Sequence, residues 1–312
     1  MSRRVVATFV ALVCALGGAA AAPAVGGATS IGIGDGNPAI FSSPRFEALH
    51  ATVARDVVPW DVATRRADRG ALATARSWIH AVQAAHVRPL ISFGADGGRA
   101  SNYIPSIKQY KRAVAAFLRR FPKVRDYTAW NEPDFSWRRL ARMPQLAAGY
   151  FNALYNMCHR CTVAAGDLYL PTSGAATING AKGRLGPWLR AYIPGLRHRP
   201  KAWALHDYHE VRAHNAAQLR TMMSVTSGPI WLDETGGVLR RGTWPHQSAA
   251  RAANDEKFLF SLGRRFHRVA RIYHYQWIGS PPNVGWDSGL LTLQGKPRPA
   301  YWVVLQAAHS QK

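Results

Sequence analysis

The chain has 312 residues, 47% of them hydrophobic and 11% aromatic, a composition that excludes a disordered chain and supports a sizeable core. It carries 40 lysines and arginines against 17 aspartates and glutamates, a formal net charge of +23. These basic residues are dispersed and no nucleic-acid-binding motif accompanies them. We therefore expect a solvated basic surface or attraction to anionic cell-wall polymers, and no specific nucleic-acid partner.

The N-terminus has the layout of a secretory signal peptide. The basic start MSRR precedes the apolar run VVATFVALVCALGG and a tail of small residues, with an A-x-A cleavage site at Ala22-Pro23-Ala24. We expect residues 1–28 to be the signal peptide and its tail, and the secreted protein to begin near Val25 or Thr29. The alternative is an uncleaved membrane anchor, since the apolar run approaches spanning length. No later segment is long and apolar enough to cross a bilayer, so we expect no membrane contact after cleavage.

Strand and helix patterns alternate along the rest of the chain. The predicted strands are 29–34, 52–58, 88–94, 124–130, 161–168, 202–208, 229–234 and 271–277, and helical spacing is clearest in 71–85, 107–121 and 247–266. Several of the strands are short apolar runs, as expected where both faces of a parallel sheet are buried. Eight such units predict one (β/α)₈ TIM barrel domain over residues 29–312. The alternative is a doubly wound open sheet, but no G-x-G-x-x-G follows the first strand.

Two cysteines, Cys158 and Cys161 in NMCHRCT, remain once Cys14 leaves with the signal peptide. In an oxidising compartment this pair predicts a short-loop disulfide, with free thiols as the alternative. A haem site would need histidine directly after the second cysteine, and a zinc site would need a second pair of ligands.

Two of the five glutamates end predicted strands. Glu132 follows Asn131 after the fourth strand, and Glu234 ends the seventh. The carboxyl ends of barrel strands carry the chemistry in this architecture, and strands four and seven face each other across the mouth. Two carboxylates across a cleft are the minimum equipment for glycoside hydrolysis, one to protonate the leaving oxygen and one to attack the anomeric carbon.

The sequence around each of these two glutamates leads to one further interpretation. Strand alternation predicts that Ile230, Leu232 and Glu234 share the inward face, while Asp233 points to the helix layer. Glu132 has an alternative role as a helix cap ahead of a proline in the next first turn.

Other strand ends carry residues that can support the two carboxylates. Arg55 on strand two can favour the anionic form of a nearby glutamate. His206 and Tyr208 are predicted on one face of strand six, where a phenol can hydrogen-bond a carboxylate. Tyr273, Tyr275 and Trp277 are predicted on one face of strand eight, with Trp277 as the floor of a sugar subsite. Further possible substrate contacts are Trp60, Asp96, Trp137, Glu210, Trp244 and Trp286.

This set of residues resembles the clan A glycoside hydrolases, a (β/α)₈ superfamily that includes cellulases, β-xylosidases and β-galactosidases. The resemblance is closest to the β-xylosidase-like and cellulase-like branches, although the third strand lacks a histidine that some members place near its end. It implies that Glu132 is the acid/base and Glu234 the nucleophile. The matching supporting positions are Asn131, Arg55, His206, Tyr208 and Trp277.

The sequence and the resemblance together predict a secreted retaining β-glycosidase that hydrolyses a β-linked poly- or oligosaccharide by double displacement. Asn131 is expected to hold the sugar 2-hydroxyl, and no metal or organic cofactor is required. The first alternative is a catalytically inactive glycan-binding barrel attached to cell-wall polymers. The second is an exported nucleic-acid-binding protein, which the charge alone suggests.

Overall fold

The computed structural model describes residues 28–65, 69–95, 103–135, 139–169, 177–178, 181–182, 185–243 and 245–310. Residues 1–27 of the predicted signal peptide lie outside the described residues, as do Asp96, Trp137 and Trp244.

Eight parallel strands close into a barrel whose order follows the chain, with the first strand paired to both the second and the last. They are β1 (Ser30–Gly34), β2 (Val53–Pro59), β3 (Arg88–Gly94), β4 (Asp126–Thr128), β5 (Thr162–Leu168), β6 (Ala202–His206), β7 (Ile230–Thr235) and β8 (Val269–Tyr275). Each one overlaps a predicted strand. The predicted (β/α)₈ barrel is confirmed.

Helices flank the barrel and cover its outer face. Those described are α1 (Pro44–Leu49), α2 (Arg69–Ala84), α3 (Ile107–Arg120), α4 (Pro144–Met157), α5 (Leu185–Tyr192), α6 (Tyr208–Ala213), α7 (Ala217–Val225), α8 (Ala249–Arg265) and α9 (Pro299–His309). Among the described helices, none combines the length and apolarity needed to cross a membrane.

Helix α3 illustrates how the sequence specifies these helices. Ser106 and Gln109 form a capping box, in which each side chain accepts the other's backbone N–H. The buried side chains of α3 are Tyr110, Ala113, Val114 and Phe117, at the spacing of one helix face. Phe117 meets Phe93 of β3 with ring centroids 5.2 Å apart, so this face seals the outside of the barrel.

The barrel interior below the mouth contains apolar side chains and the buried carboxylate of Asp126, which pairs with two arginines. The apolar members are Val53, Leu90, Ala164, Ala202, Ala204, Trp231 and Tyr273. Asp126 of β4 accepts hydrogen bonds from Arg88 (2.5 Å) and from Arg271 (2.6 Å). The Arg271 guanidinium lies 4.1 Å from the centre of the Trp231 ring. These contacts fill the interior and support the residues at the mouth above it.

The orientation predicted for β7 is wrong. Ile230 and Leu232 pack in the main core outside the barrel, whereas Trp231 and Asp233 point inward. The register explains why Glu234 still reaches the mouth: Ala204 of β6 pairs with Trp231, but His206 pairs with Glu234. Three residues of β7 therefore oppose two of β6, and this β-bulge interrupts the strict alternation.

Strands β6 and β8, like β4, end two residues earlier than predicted. β6 stops at His206, and Tyr208 is the first residue of α6 rather than part of the strand. β8 stops at Tyr275, two residues before Trp277. The chain turns sharply at both points, so the period-two alternation assumed beyond them does not apply.

Two features lie outside the barrel strands. Cys158 and Cys161 form the predicted disulfide between the end of α4 and the start of β5. A two-residue ladder at the mouth pairs Arg240–Arg241 antiparallel with Trp286–Asp287. This ladder joins the loop after β7 to the loop after β8.

Candidate active site

The mouth of the barrel brings Glu132 and Glu234 together. A carboxylate oxygen of each, together with a ring nitrogen of His206, lies within 4.8 Å of the other two. The two glutamate side chains are 14% and 15% exposed, while His206 is fully buried beneath them. The two carboxylates predicted from the strand ends therefore do share one site.

Glu132 is held by an unusual backbone turn at the end of β4. Its φ is +49°, in the left-handed region that non-glycine residues seldom adopt, and its N–H donates to the Asp167 carbonyl at 2.9 Å. One carboxylate oxygen, Oε1, lies 3.1 Å from Nδ1 of His206. The side chain of Glu132 thus contacts His206. This contact does not support the alternative role of Glu132 as a helix cap. Such strained residues cluster at functional sites.

Glu234 is held by two donors. Arg55 Nη1 donates to Oε2 at 2.7 Å, and the Tyr208 hydroxyl donates to Oε1 at 3.1 Å. Burial opposes ionisation of Glu234, but the positive charges of His206 and Arg55 outweigh it and lower its pKa. Glu234 is therefore stabilised as a carboxylate.

Arg55 connects most of the site from the floor of the mouth. Its side chain is 1% exposed. Nε donates to the Ser92 hydroxyl at 2.9 Å, and Nη2 donates to Asn131 Oδ1 at 2.6 Å and to Asp167 Oδ1 at 3.1 Å. Although burial opposes the charged form, Asp167 and Glu234 raise the pKa of Arg55. The guanidinium is a permanent cation that donates to four polar side chains at once, these three and Glu234.

Asp167, at the end of β5, is part of the site and was missed by the sequence reasoning. Its Oδ1 lies 2.6 Å from Nε2 of His206, and its Oδ2 accepts a hydrogen bond from the Thr128 hydroxyl. Burial opposes ionisation, but the Arg55 charge and the His206 hydrogen bond lower the pKa of Asp167. A carboxylate at the carboxyl end of a predicted barrel strand was the signal that could have identified it.

His206 joins Asp167 to Glu132, with one ring nitrogen facing each carboxylate. Burial disfavours its charged form, yet Glu234, Asp167 and Glu132 raise the pKa of His206 well above its ordinary value. The imidazole is therefore charged at neutral pH, and both nitrogens donate.

Asp233 lies below this layer, inside the barrel. One carboxylate oxygen is 3.4 Å from Arg55 Nε and the other is 3.9 Å from His206 Nε2. Burial, and then the charge of Asp167, raise the pKa of Asp233 to about 8. Asp233 is thus mainly protonated at neutral pH, and the other acidic side chains that Arg55 and His206 contact are Asp167, Glu234 and Glu132.

Two triads in this site have distances that would allow a metal ion: Glu132, His206 and Glu234 in one, and Asp167, His206 and Asp233 in the other. Both need neutral His206, since a histidine ligand must be deprotonated. The pKa of His206 is raised well above its ordinary value, and Arg55 already contacts Asp167 and Glu234. The residues fit an ion-pair network better than a metal centre.

The predicted aromatic subsite is formed differently from expectation. Trp277 is 2% exposed, and its ring packs edge-on against Phe46 (5.8 Å) and Tyr301 (6.1 Å). Tyr275, the last residue of β8, occupies the site instead, where the charge of Glu234 adds to burial in raising its pKa. Trp286 lies next to it, with ring centroids 6.1 Å apart.

Two further candidates have structural partners. Trp60 is 8% exposed and stacks on Tyr103 at 6.2 Å. Glu210 is fully buried, and its carboxylate accepts the backbone N–H groups of Gln218 (2.5 Å) and Leu219 (2.9 Å) at the start of α7. Glu210 therefore caps a helix and is not positioned to contact a substrate.

Comparison with known proteins gives both a family and a fold. The family of glycosyl hydrolase catalytic cores matches residues 62–303. No curated protein matches the sequence.

Solved structures with the same fold include several glycoside hydrolases. GH5_18 from Streptomyces cattleya, in complex with GlcNAc, has a TM-score of 0.66 at 16% identity, over 92% of this chain and 81% of that one. A glucosidase from Croceicoccus marinus has a TM-score of 0.65 at 11% identity, covering 92% and 67%. A family 39 glycoside hydrolase from Bacteroides cellulosilyticus WH2 has a TM-score of 0.60 at 14% identity, and this chain spans only 64% of its length while 90% of this chain is covered. These likenesses establish the shared barrel. The family match over most of the chain establishes more: the protein belongs to the glycosyl hydrolase catalytic core family.

Proposed function

We propose that the protein is a retaining β-glycosidase in which Glu132 is the acid/base and Glu234 the nucleophile. The observation that supports this proposal most directly is the short separation, within 4.8 Å, between carboxylate oxygens of the two residues. Retaining enzymes hold their carboxyl groups about 5–5.5 Å apart, whereas inverting enzymes need about 6.5–9.5 Å to seat a water molecule between base and sugar. The separation supports direct attack by one carboxylate.

The first step uses the ionised Glu234 and the protonated Glu132. A Glu234 oxygen bonds to the anomeric carbon as the glycosidic C–O bond breaks, and the electron pair of that bond goes to the leaving oxygen. Glu132 donates its proton to that oxygen. The lowered pKa of Glu234 supports its role as the anionic partner.

The second step returns the enzyme to its starting state. Glu132, now a carboxylate, removes a proton from water while the water oxygen attacks the anomeric carbon and the glycosyl ester breaks. His206 Nδ1 donates to Oε1 of Glu132, so Oε2 is the oxygen that exchanges the proton. Asp167 holds the opposite nitrogen of His206 and fixes the ring. Asp167 is a positioning residue in this mechanism.

Substrate recognition falls to the remaining residues of the mouth. Asn131 accepts from Arg55 through Oδ1, which orients its amide nitrogen as the donor for a sugar 2-hydroxyl. The Tyr275 ring provides a flat apolar face beside Glu234 for a sugar ring. We propose a β-linked poly- or oligosaccharide as the substrate, with the GlcNAc bound by the Streptomyces cattleya enzyme as one example of a sugar in this fold.

We also propose that the enzyme acts outside the cell. The support is the signal-peptide pattern in residues 1–28 and the net charge of +23, which suits attraction to anionic cell-wall polymers. Intact mass spectrometry of the exported protein tests this. A mass that corresponds to a chain beginning near Val25 or Thr29 supports secretion, and a mass that includes Met1 contradicts it.

Proton NMR of the anomeric signal tests the mechanism. A panel of 4-nitrophenyl β-glycosides first identifies a hydrolysed substrate, and the spectrum is then followed in the first minutes, before mutarotation. A β-configured first product is expected. An initial α-anomer would exclude double displacement, and binding of glycans without hydrolysis of any substrate would favour the inactive glycan-binding alternative.

A further inference from the structure

The end of the barrel opposite the mouth is basic. The connections that lead into β2 to β8 all belong to the described residues, at 50–52, 85–87, 121–125, 158–161, 193–201, 226–229 and 266–268, and none of them contains an aspartate or a glutamate. Their exposed lysines and arginines are Lys123, Arg125, Arg160, Arg197, Arg199 and Lys201. At the mouth, by contrast, carboxylates stand at or just beyond the ends of the strands, among them Asp35, Glu132, Asp167, Asp207 and Glu234. The positive charge is therefore concentrated away from the proposed active site.

A groove between α3 and α4 opens at this basic end. Its volume is about 420 Å³, and Arg119, Arg125 and Arg160 line it together with Tyr127 and Met157. All three arginines are exposed. Within the part of the chain that the structure describes, none of the three takes part in an ion pair. We call this feature the arginine groove.

The carboxylates of this end of the barrel do not neutralise the arginine groove. Asp126, which follows Arg125, is fully buried and already accepts hydrogen bonds from Arg88 and Arg271. Glu47 is exposed, but it lies on α1. That helix follows β1, which is on the opposite side of the barrel ring from β5. An anion in the arginine groove would therefore meet three cations without a competing carboxylate beside them.

Lys201 joins the arginine groove to a second basic groove. Its Nζ donates to the backbone carbonyl of Cys161 at 2.7 Å, so the connection that leads into β6 lies against the one that leads into β5. The second groove has a volume of about 570 Å³, and its lining includes Arg197, His198 and Arg199. Two adjacent basic grooves form a track that suits an extended polymer better than a single small anion.

From this distribution of charge we propose that the end of the barrel opposite the mouth binds a linear phosphodiester polymer at the cell surface, with the arginine groove as its main contact. One guanidinium can occupy both oxygens of a planar carboxylate through two parallel hydrogen bonds. A tetrahedral phosphate presents oxygens in more than one direction, so it can accept from several guanidinium groups around one groove.

The source of that polymer follows from the proposed secretion, which brings the protein to polymers of the cell wall and away from nucleic acid. The net charge of +23 would speed the encounter. A polymer bound at this end leaves the mouth free, because the mouth lies at the other end of the barrel. The inference goes beyond the proposed function and does not depend on it, since binding is measured without a substrate.

The test is calorimetric titration of the purified protein with poly(glycerol phosphate) over a series of salt concentrations. The wild type is expected to bind, with an affinity that falls as salt rises. The triple variant Arg119→Gln/Arg125→Gln/Arg160→Gln should bind at least about 10-fold more weakly. The slope of its log K against log salt should be smaller by about 2, the change expected when three phosphate contacts are lost.

The matched control removes the same charge from other exposed positions. Arg69→Gln/Arg76→Gln/Lys296→Gln changes two residues of α2 and one in the connection between β8 and α9, and none in the connections that lead into the strands. This variant should keep nearly the wild-type affinity and salt slope. Melting temperatures show whether each triple variant is folded. If the first one is not, its three single variants are titrated, and at least one should weaken binding.

Several outcomes would overturn the inference. Equal weakening in both triple variants would show that the net charge acts without a localised site. Absence of wild-type binding to poly(glycerol phosphate) would exclude the partner. Tighter binding of polygalacturonate would assign the basic end to a carboxylated polysaccharide, and tighter binding of single-stranded oligo-dT would assign it to nucleic acid.

Discussion

Arg55 Nη1 lies 2.7 Å from Glu234 Oε2, and the same guanidinium donates through Nη2 to Asn131. One buried side chain thus adds to the charge of His206 in favouring the ionised form of the proposed nucleophile, and it also orients the proposed 2-hydroxyl donor. The cation has to be buried with its counter-charges to do this, because a surface pair would be screened by water and salt.

Arg55→Lys should move the acidic limb of the pH profile of kcat/KM to higher pH. The cations His206 and Arg55 lower the pKa of Glu234 in the wild type, so weakening one of them raises that pKa. The carboxylate, and with it activity, is then lost at a higher pH as the solution is acidified. Lysine keeps one charge but cannot donate to Ser92, Asn131 and Glu234 together, so kcat should also fall, by about 10-fold or more.

Arg55→Leu is the harsher comparison. It leaves several buried carboxylates without their cation, and should cost about 3–5 kcal/mol of unfolding free energy. Denaturant unfolding measures that loss. An acidic limb at the wild-type position in folded Arg55→Lys would contradict the role assigned to Arg55.

Asp233→Asn should remove a pH dependence of stability. Burial raises the folded-state pKa of Asp233 to about 8, whereas an unfolded aspartate has a pKa of about 3.9. The protonated form is favoured by folding, so its stabilising contribution is complete below the unfolded pKa and is lost as the pH rises through the folded one. The stability of Asp233→Asn relative to the wild type should therefore increase by about 1.4 kcal/mol per pH unit between these values.

Thermal unfolding from pH 4 to pH 9 measures this difference. Asp61→Asn is a suitable control, because Asp61 is near the surface and pairs with Arg65 at 2.6 Å. A constant difference between Asp233→Asn and wild type across the range would show that Asp233 does not bind an extra proton in the folded state.

The same aspartate shows where the sequence stops being informative. The positions of Glu132 and Glu234 follow from strand ends, because parallel barrel strands all deliver their carboxyl ends to one mouth. The direction of Asp233 does not, because a one-residue bulge between β6 and β7 is invisible in the alternation of apolar and polar residues. The error concerns a single residue of register, and in a strand that is enough to exchange the two faces.

Asp167 and Trp277 illustrate two further limits. Asp167 sits in an apolar strand pattern and gains its role only through partners on other strands, at Arg55 and His206. Trp277 carries the residue type that the resemblance led us to expect, but β8 ends at Tyr275 and the Trp277 ring packs against Phe46. Sequence order locates the strand ends to within about two residues, and side-chain direction beyond the end depends on the local turn.

Substitutions of Tyr275 and Trp277 should therefore have different effects, the first on KM and the second on stability. Tyr275→Ala removes the ring beside Glu234 and should raise KM by roughly 2- to 10-fold, the value of one aromatic contact. Tyr275→Phe keeps the ring and should lie near wild type in KM. Trp277→Phe should lower the melting temperature by several degrees, because it removes buried volume worth about 1–3 kcal/mol, with KM unchanged.

Steady-state kinetics and thermal unfolding of the same three variants check this. If Trp277→Phe raises KM at unchanged stability, the tryptophan contacts the sugar and the role assigned to Tyr275 is wrong.

Removing Glu132 and removing Glu234 should reduce activity in different ways. The products formed with azide should identify the role of each residue. Glu234→Ala loses the nucleophile, and turnover should fall at least about 10⁴-fold on every substrate. Glu132→Ala should be milder on 4-nitrophenyl glycosides, whose leaving group needs little protonation. An exposed glutamate on α1, Glu47, provides the control, and Glu47→Gln should behave as the wild type.

Azide distinguishes the roles by stereochemistry. In Glu132→Ala the glycosyl ester on Glu234 still forms, with its bond on the α face of the sugar. Azide then displaces that ester from the opposite face, so the product is a β-glycosyl azide and the rate recovers without a general base. In Glu234→Ala azide can occupy the vacated space and displace the leaving group directly, which gives an α-glycosyl azide. Proton NMR of the isolated azides reads the two configurations. An α-azide from Glu132→Ala and a β-azide from Glu234→Ala would reverse the assignment of acid/base and nucleophile. Azide products of one configuration from both variants would mean that the two carboxylates do not divide the reaction in this way.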